Sequence, residues 1–355
     1  MIILVLSIKC FALVNQWSSS LPENSIFSPS QEISERVEFW VKIYSYYNTN
    51  QGVFHLVDDP AFILGEVDIS SISDNSVLSA TEKKRQTDKF LVNRRKELLQ
   101  KWKISDGRKV RLQMGLKDRM EKAFFLSGRY LPLMEKIFRE KGLPIELTRI
   151  VFVESSFNIF AQSKVGASGL WQIMPNVARP YGYINSQYDK RNHPIYATKL
   201  AATILEKNYN GLQSWPLAIT AYNHGLTGVK RMVQKTDSEM IEDLIATSNT
   251  TPTWGFASKN FYACFLAVLE VERNADLLFG KKLVQSKKLN YKEIKLKRTI
   301  SKSKLLALFS GSVTRFKLMN PHLNSVRFMK KKRFPAGIPL IVPSEKYHLV
   351  SLYKS

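Results

Sequence analysis

The sequence predicts a mainly α protein that ends in a small β-α-α-β module. Two observations carry the helical part: long segments with apolar residues at helical spacing, and helix punctuation at their ends. The third marks the tail. After Gly280 the pattern changes to short alternating runs bounded by Gly and Pro. A chain of 355 residues has room for about two to three domains. Its 44% hydrophobic content is ample for a packed core.

Residues 1–16 read as an export leader. The apolar run 1–14 is shorter than the roughly 20 residues of a membrane-spanning helix and resembles a signal-peptide core. It lacks a basic start, and Lys9 interrupts it. Residues 17–30 are polar, with Pro and Ser, and read as a linker. Residues 32–127 read as a helical N-terminal region. Within it, 70–80 is Ser/Asp-rich and loop-like, and from 81 Phe90, Val92, Leu98, Leu99 and Trp102 supply one apolar side. Gly142-Leu143-Pro144 breaks the pattern, and Pro144 suits the first turn of a helix carrying Ile145 to Glu154. Residues 166–169 form a turn, and a helix restarts over 170–177. Residues 195–209 are strongly helical. The segment 215–224 opens with Pro216 and stops at Gly225, and 256–279 holds one or two more helices. In the tail, 291–300 alternates like a strand, 303–310 and 312–320 suit short helices, and 338–343 suits an edge strand. The expected divisions are 1–16, 32–127, 128–250, 251–282 and 289–345.

The net charge is +23, from 53 basic and 30 acidic residues. Such a balance favours an anionic partner: nucleic acid, an anionic membrane surface or an acidic wall polymer. No aromatic-basic module accompanies the charge, so nucleic acid is not the expected partner. The cysteines are Cys10 and Cys264; with the leader removed only Cys264 remains, and no internal disulfide is expected. The chain has no CxxC, HExxH, GxGxxG, GxSxG or phosphate-loop motif, and its five histidines lack metal-ligand spacing. No metal and no cofactor are expected.

Glu154 closes the apolar run Ile150-Val151-Phe152-Val153. A carboxyl among apolar side chains resists ionisation, which suits a general acid near neutral pH. On local pattern alone, a helix-end glutamate facing water fits equally well. Nine residues on comes Ser163, then Gly166-Ala167-Ser168-Gly169-Leu170-Trp171-Gln172-Ile173-Met174-Pro175. Later come Asp189-Lys190-Arg191-Asn192-His193-Pro194 and Trp215-Pro216-Leu217-Ala218-Ile219-Thr220-Ala221-Tyr222-Asn223-His224-Gly225.

In order and spacing these segments resemble the catalytic domain of the soluble-type (SLT) lytic transglycosylases, in particular the membrane-bound murein transglycosylase D subgroup. The resemblance implies a lysozyme-like α domain over 128–250, a helical arm before it, a helical extension over 251–282, and a degenerate lysin-motif-like module at 289–345. Lys190, Asn192, His193 and His224 depart from the family pattern. By resemblance Glu154 is the catalytic acid, and Ser163 and Gln172 hydrogen-bond the sugar N-acetyl or peptide-bearing region. Tyr222 steadies Glu154 by a hydrogen bond, and Asn223 lines the cleft. Met174 is a substrate contact, although it and Trp171 are also core-type residues. Gly166 and Gly169 let the backbone turn.

Most glycosidases use a second carboxylate, and none lies inside the three motifs; Asp189 and Glu206 read as structural. The resemblance accounts for the gap: the 6-hydroxyl of N-acetylmuramic acid attacks its own C1, the MurNAc–GlcNAc β-1,4 bond breaks, and a 1,6-anhydro end forms. A hydrolytic muramidase on the same fold and a non-catalytic wall-binding scaffold are the alternatives. The expected partners are peptidoglycan glycan strands and an anionic membrane surface, for a monomer in the periplasm or cell envelope.

Overall fold

The computed structural model describes residues 14–248, 251, 253–323 and 332–350. The leader expected at 1–16 lies outside the described residues up to position 13, and Cys10 with it.

The protein is mainly α. The helix Phe256–Arg273 is buried almost all round, as a central helix must be. Against it lie Gln31–Ser45, Trp215–His224 and Ile150–Ser155. Gln31–Ser45 turns Ile33, Val37, Trp40 and Tyr44 inward at helical spacing. Pro194–Leu212 packs on Trp215–His224 and on Leu131–Glu140. Trp215–His224 carries Pro216 in its first turn and ends at Gly225, whose φ is 89°. The expected 256–279 helix is two, Phe256–Arg273 and Ala275–Phe279.

The segment 17–30, expected to be a linker, is part of the core. Trp17 and Phe27 are buried in the main hydrophobic cluster. Four of its serines, Ser19, Ser20, Ser25 and Ser30, donate to Glu272, Glu135, Glu146 and Glu242. Its polar composition reflects hydroxyls paired with carboxylates rather than chain in solvent.

The region 32–127, expected to be helical, also holds a three-stranded antiparallel sheet ordered Ile63–Asp68, Gln51–Leu56, Val110–Met114. The central strand buries four consecutive residues, so it lacks the alternation that marks a strand in sequence. The long helix Ala80–Lys101 spans the gap before the third strand and buries only Leu98. Within the loop expected at 70–80, Ser70–Ser73 is a single helical turn.

In the tail, Tyr291–Lys295 pairs antiparallel with Pro339–Pro343. Lys302–Ala307 and Val313–Met319 lie between them, with a second short pair, Ile300–Ser301 and Arg333–Phe334. The strand expected over 291–300 therefore breaks after Lys295. Ile294, Leu305, Phe309, Phe316, Leu340 and Ile341 form a separate core that also takes in Tyr196. No helix among the described residues is long and apolar enough to cross a membrane.

Candidate active site

Pro144 precedes a 3-10 turn, Ile145–Arg149, and the short helix Ile150–Ser155 follows directly. Ile150, Val151 and Phe152 are buried. Ser156 and Phe157 are left-handed, with φ of 47° and 57°. That stops the helix just past Glu154, and Phe157 is held in the core edge-on to Phe152. Ser155 Oγ donates to the Val151 carbonyl at 3.3 Å, closing the last turn.

The root of this helix is clamped. Arg149 is fully buried and donates to Glu135 Oε1 at 2.6 Å and to both oxygens of Glu272 at 2.6 and 2.9 Å. Burial opposes the guanidinium charge, but the two carboxylates outweigh it and hold Arg149 cationic. Sequence reasoning missed this cluster. One signal was present: Glu135 falls on the apolar stripe Leu131, Met134, Glu135, Phe138.

Glu154 lies on the cleft floor, partly open to the cleft yet closely surrounded by protein. Burial alone raises its carboxyl from 4.5 to about 8. Among the described residues no group hydrogen-bonds it.

The glycine turn forms the next wall. Ser163 N donates to Ala167 O, and Ser163 Oγ accepts from Ala167 N, both at 2.9 Å. The Ser163 hydroxyl proton is thus left for another acceptor. Gly169 has φ 76°, and a Cβ there would sit 2.1 Å from the Arg191 carbonyl oxygen. Gln172 is left-handed at φ 43°. Its amide nitrogen donates to Ala161 O and Gly169 O at 3.1 and 2.8 Å, so only its carbonyl oxygen remains for a ligand. The helix expected over 170–177 is therefore a bridged turn, with Ser168 paired to Gln162 and Ile173, and the helix starts only at Pro175.

The 189–193 loop supports this turn. Asp189 clasps Arg191 at 2.7 Å, and Arg191 Nη1 donates to Gly166 O and Ile173 O, both at 2.8 Å. The departures from the family pattern take part in packing. Ser168 Oγ donates to Asn192 Oδ1 at 2.5 Å, and the Lys190 ammonium lies over the rings of Tyr183, Tyr188 and Tyr196. His193 Nδ1 accepts from Ile195 N at 3.2 Å, starting Pro194–Leu212. His224 Nδ1 lies 2.9 Å from Ser258 Oγ.

Tyr222, expected to steady Glu154 by a hydrogen bond, makes none to it among the described residues and donates its proton to the Trp171 carbonyl at 2.8 Å. The hydroxyl has one proton, and the fixed carbonyl of the turn takes it. Burial, with a smaller contribution from Glu154 nearby, holds Tyr222 well above 10. Asn223 Oδ1 accepts from Ser258 Oγ at 3.4 Å. Trp171 is core, stacked on Phe138.

Glu154, Ser163, Gln172, Met174, Tyr222 and Asn223 all line one cavity of about 680 Å³. A second, of about 1070 Å³, shares Glu154, Ser163 and Gln172 with it, so the acid sits where the two meet. No other carboxylate among the described residues lines either. Glu206 pairs with Lys141 at 2.6 Å.

Residues 135–245 match the transglycosylase SLT domain family. Over 145 residues the chain is 28% identical to membrane-bound lytic murein transglycosylase D of Escherichia coli (strain K12), covering 39% of this chain and 30% of that one. Over 108 residues it is 36% identical to a putative tributyltin chloride resistance protein of Alteromonas sp. (strain M-1), covering 29% of this chain and 51% of that one. The chain thus spans 30% of the first of these relatives and 51% of the second. Among solved structures, the 70 kDa soluble lytic transglycosylase Slt70 of Escherichia coli is 17% identical, with a TM-score of 0.36 over 78% of this chain and 41% of that one. The lytic transglycosylase Slt of Pseudomonas aeruginosa is 22% identical, with a TM-score of 0.32 over 42% of this chain and 25% of that one. The chain therefore carries a transglycosylase SLT domain at residues 135–245 and is homologous, over 145 residues, to membrane-bound lytic murein transglycosylase D.

Proposed function

We propose that the protein is a lytic transglycosylase of the cell envelope that cleaves the MurNAc–GlcNAc β-1,4 bond of peptidoglycan and leaves 1,6-anhydro-MurNAc ends. The observation that carries this is a lone carboxyl, raised to about 8, where two cavities join, with no second acid in their described lining. At neutral pH Glu154 is protonated and donates to the leaving glycosidic oxygen as the bond to C1 breaks. Most enzymes that use water place a second carboxylate as base or nucleophile. Here the muramyl 6-hydroxyl attacks C1, and proximity makes this intramolecular attack competitive. The Glu154 carboxylate, just formed, takes the hydroxyl proton and is reset. The sugar's own 2-acetamido group steadies the developing cation. Ser163 offers a proton and Gln172 a carbonyl oxygen to the sugar amide. Tyr222 presents hydroxyl lone pairs, which can accept from the protonated acid and hold its rotamer.

The test is to digest purified sacculi and weigh the soluble fragments. Fragments lacking one water per cleavage are expected, and Glu154→Gln abolishes them. Reducing ends alone would mean a hydrolytic muramidase on the same site. Sacculus binding without any product would mean a wall-binding scaffold.

A further inference from the structure

The helix Lys117–Ser127 precedes the matched domain and forms one wall of the larger cavity. Its inner side, Met120, Ala123, Phe124 and Ser127, is buried. Its other side presents Leu116, Arg119, Lys122 and Leu126 to the cavity, at spacings of three, three and four that form one helical stripe. Arg129 follows on the same wall, its carbonyl accepting from Leu289 N at 3.0 Å. All three cationic side chains are exposed, and none has a carboxylate partner among the described residues. The helix's acids are engaged elsewhere: Glu121 with Lys281 at 2.8 Å, and Asp118 with Thr49. Among the described residues the only acid lining the cavity is Glu154. This wall is basic with apolar ends and adjoins the reacting centre.

We infer that Arg119, Lys122 and Arg129 bind the carboxylate-bearing stem peptide carried by the muramyl sugar, so that the enzyme selects peptide-substituted strands; this rests on peptidoglycan being the substrate. The sugar rings are neutral, and a muramyl unit without its peptide offers three cations only its single lactyl carboxylate. The muramyl substituent is a short anionic chain with aliphatic side chains. Its carboxylates match guanidinium and ammonium donors, and its methyl groups match Leu116 and Leu126. The peptide then lies along Lys117–Ser127 while the scissile bond reaches Glu154.

The test compares intact glycan strands with strands stripped of peptide by an amidase, using the full chain and Arg119→Gln/Lys122→Gln/Arg129→Gln. The wild type is expected to favour peptide-bearing strands at least tenfold in kcat/KM. Added salt should reduce that preference, because exposed charges are screened. The triple variant should bring the ratio close to one at unchanged Tm. A wild type indifferent to the peptide, or a variant that keeps the full ratio, overturns the inference and leaves the catalytic reading intact. A wild type that cleaves neither strand overturns the catalytic reading, and the inference with it.

Discussion

Replacing Glu154 with glutamine should stabilise the fold by an amount that grows with pH. Burial holds the carboxyl at about 8 instead of 4.5, with no hydrogen bond among the described residues to offset it. The unfolded chain has no such penalty. Between pH 4.5 and 8 it releases a proton that the folded chain keeps. Stability against unfolding therefore falls as pH rises, by about 1.4 kcal/mol per pH unit. Below pH 4.5 both states are protonated and the cost vanishes; above 8 both are ionised and it levels off at about 5 kcal/mol. Glutamine has the same shape and no charge. The gain of Glu154→Gln over wild type should be near zero at pH 4.5, about 3 kcal/mol at pH 7 and about 4 at pH 8, as ceilings, because water entering the cleft softens the penalty. Urea unfolding of both proteins from pH 5 to 8 measures this directly. A gain that is constant with pH, or that shrinks as pH rises, refutes the burial argument. The same carboxyl sets the rate profile: kcat/KM should be level up to neutral pH and fall tenfold per unit above about 8. A fall that begins near pH 5 would mean an ordinary, solvated glutamate.

Gly169→Ala combines a positive φ with a Cβ 2.1 Å from the Arg191 carbonyl, so a loss of about 2 kcal/mol or more is expected in thermal unfolding; a neutral result would mean the turn can shift freely. Arg149→Met leaves Glu272 buried without a cation and Glu135 with only the exposed Arg139, and should cost about 3–5 kcal/mol, whereas a loss below 1 would mean water reaches them. Arg191→Met removes both bonds to the glycine turn. It should cost about 3 kcal/mol and lower kcat/KM beyond the fraction unfolded; unchanged kinetics would show that the turn holds without it.

Much of the site was legible because its signals are local. Pro216 and Gly225 bracket one helix, and Glu154, the glycine turn and Tyr222 stand in order along the chain. What escaped depends on distant partners. Arg149 meets Glu135 and Glu272 across separations of 14 and 123 residues. The spacing of residues 170–177 suits a helix, but Gln172 is left-handed and Gly169 abuts the Arg191 backbone, which holds the segment open. The strand Gln51–Leu56 escaped because both its faces are covered. The family resemblance sets the Tyr222 hydroxyl against the acid, and the Trp171 carbonyl, 51 residues away in sequence, comes within its reach only after folding.

An unpaired carboxyl at the floor of a cleft would ordinarily relieve its penalty by turning outward or borrowing a cation. Both routes are closed here. The left-handed Ser156 and the buried Phe157 fix the helix end, so Glu154 cannot swing its backbone toward solvent. Arg149, one helical turn and a residue earlier, is saturated by two carboxylates and contributes nothing to lowering the Glu154 carboxyl. Arg191 is likewise held by Asp189 and the glycine turn. Arg119, Lys122 and Arg129 line a cavity that Glu154 also lines, but they are exposed, where solvent and salt screen a charge. On the proposed reading, one cleft then holds an anionic chain on its basic wall and still keeps a neutral acid in the same cavity. A cation close enough to pair with Glu154 would favour the carboxylate and remove the proton the reaction begins with.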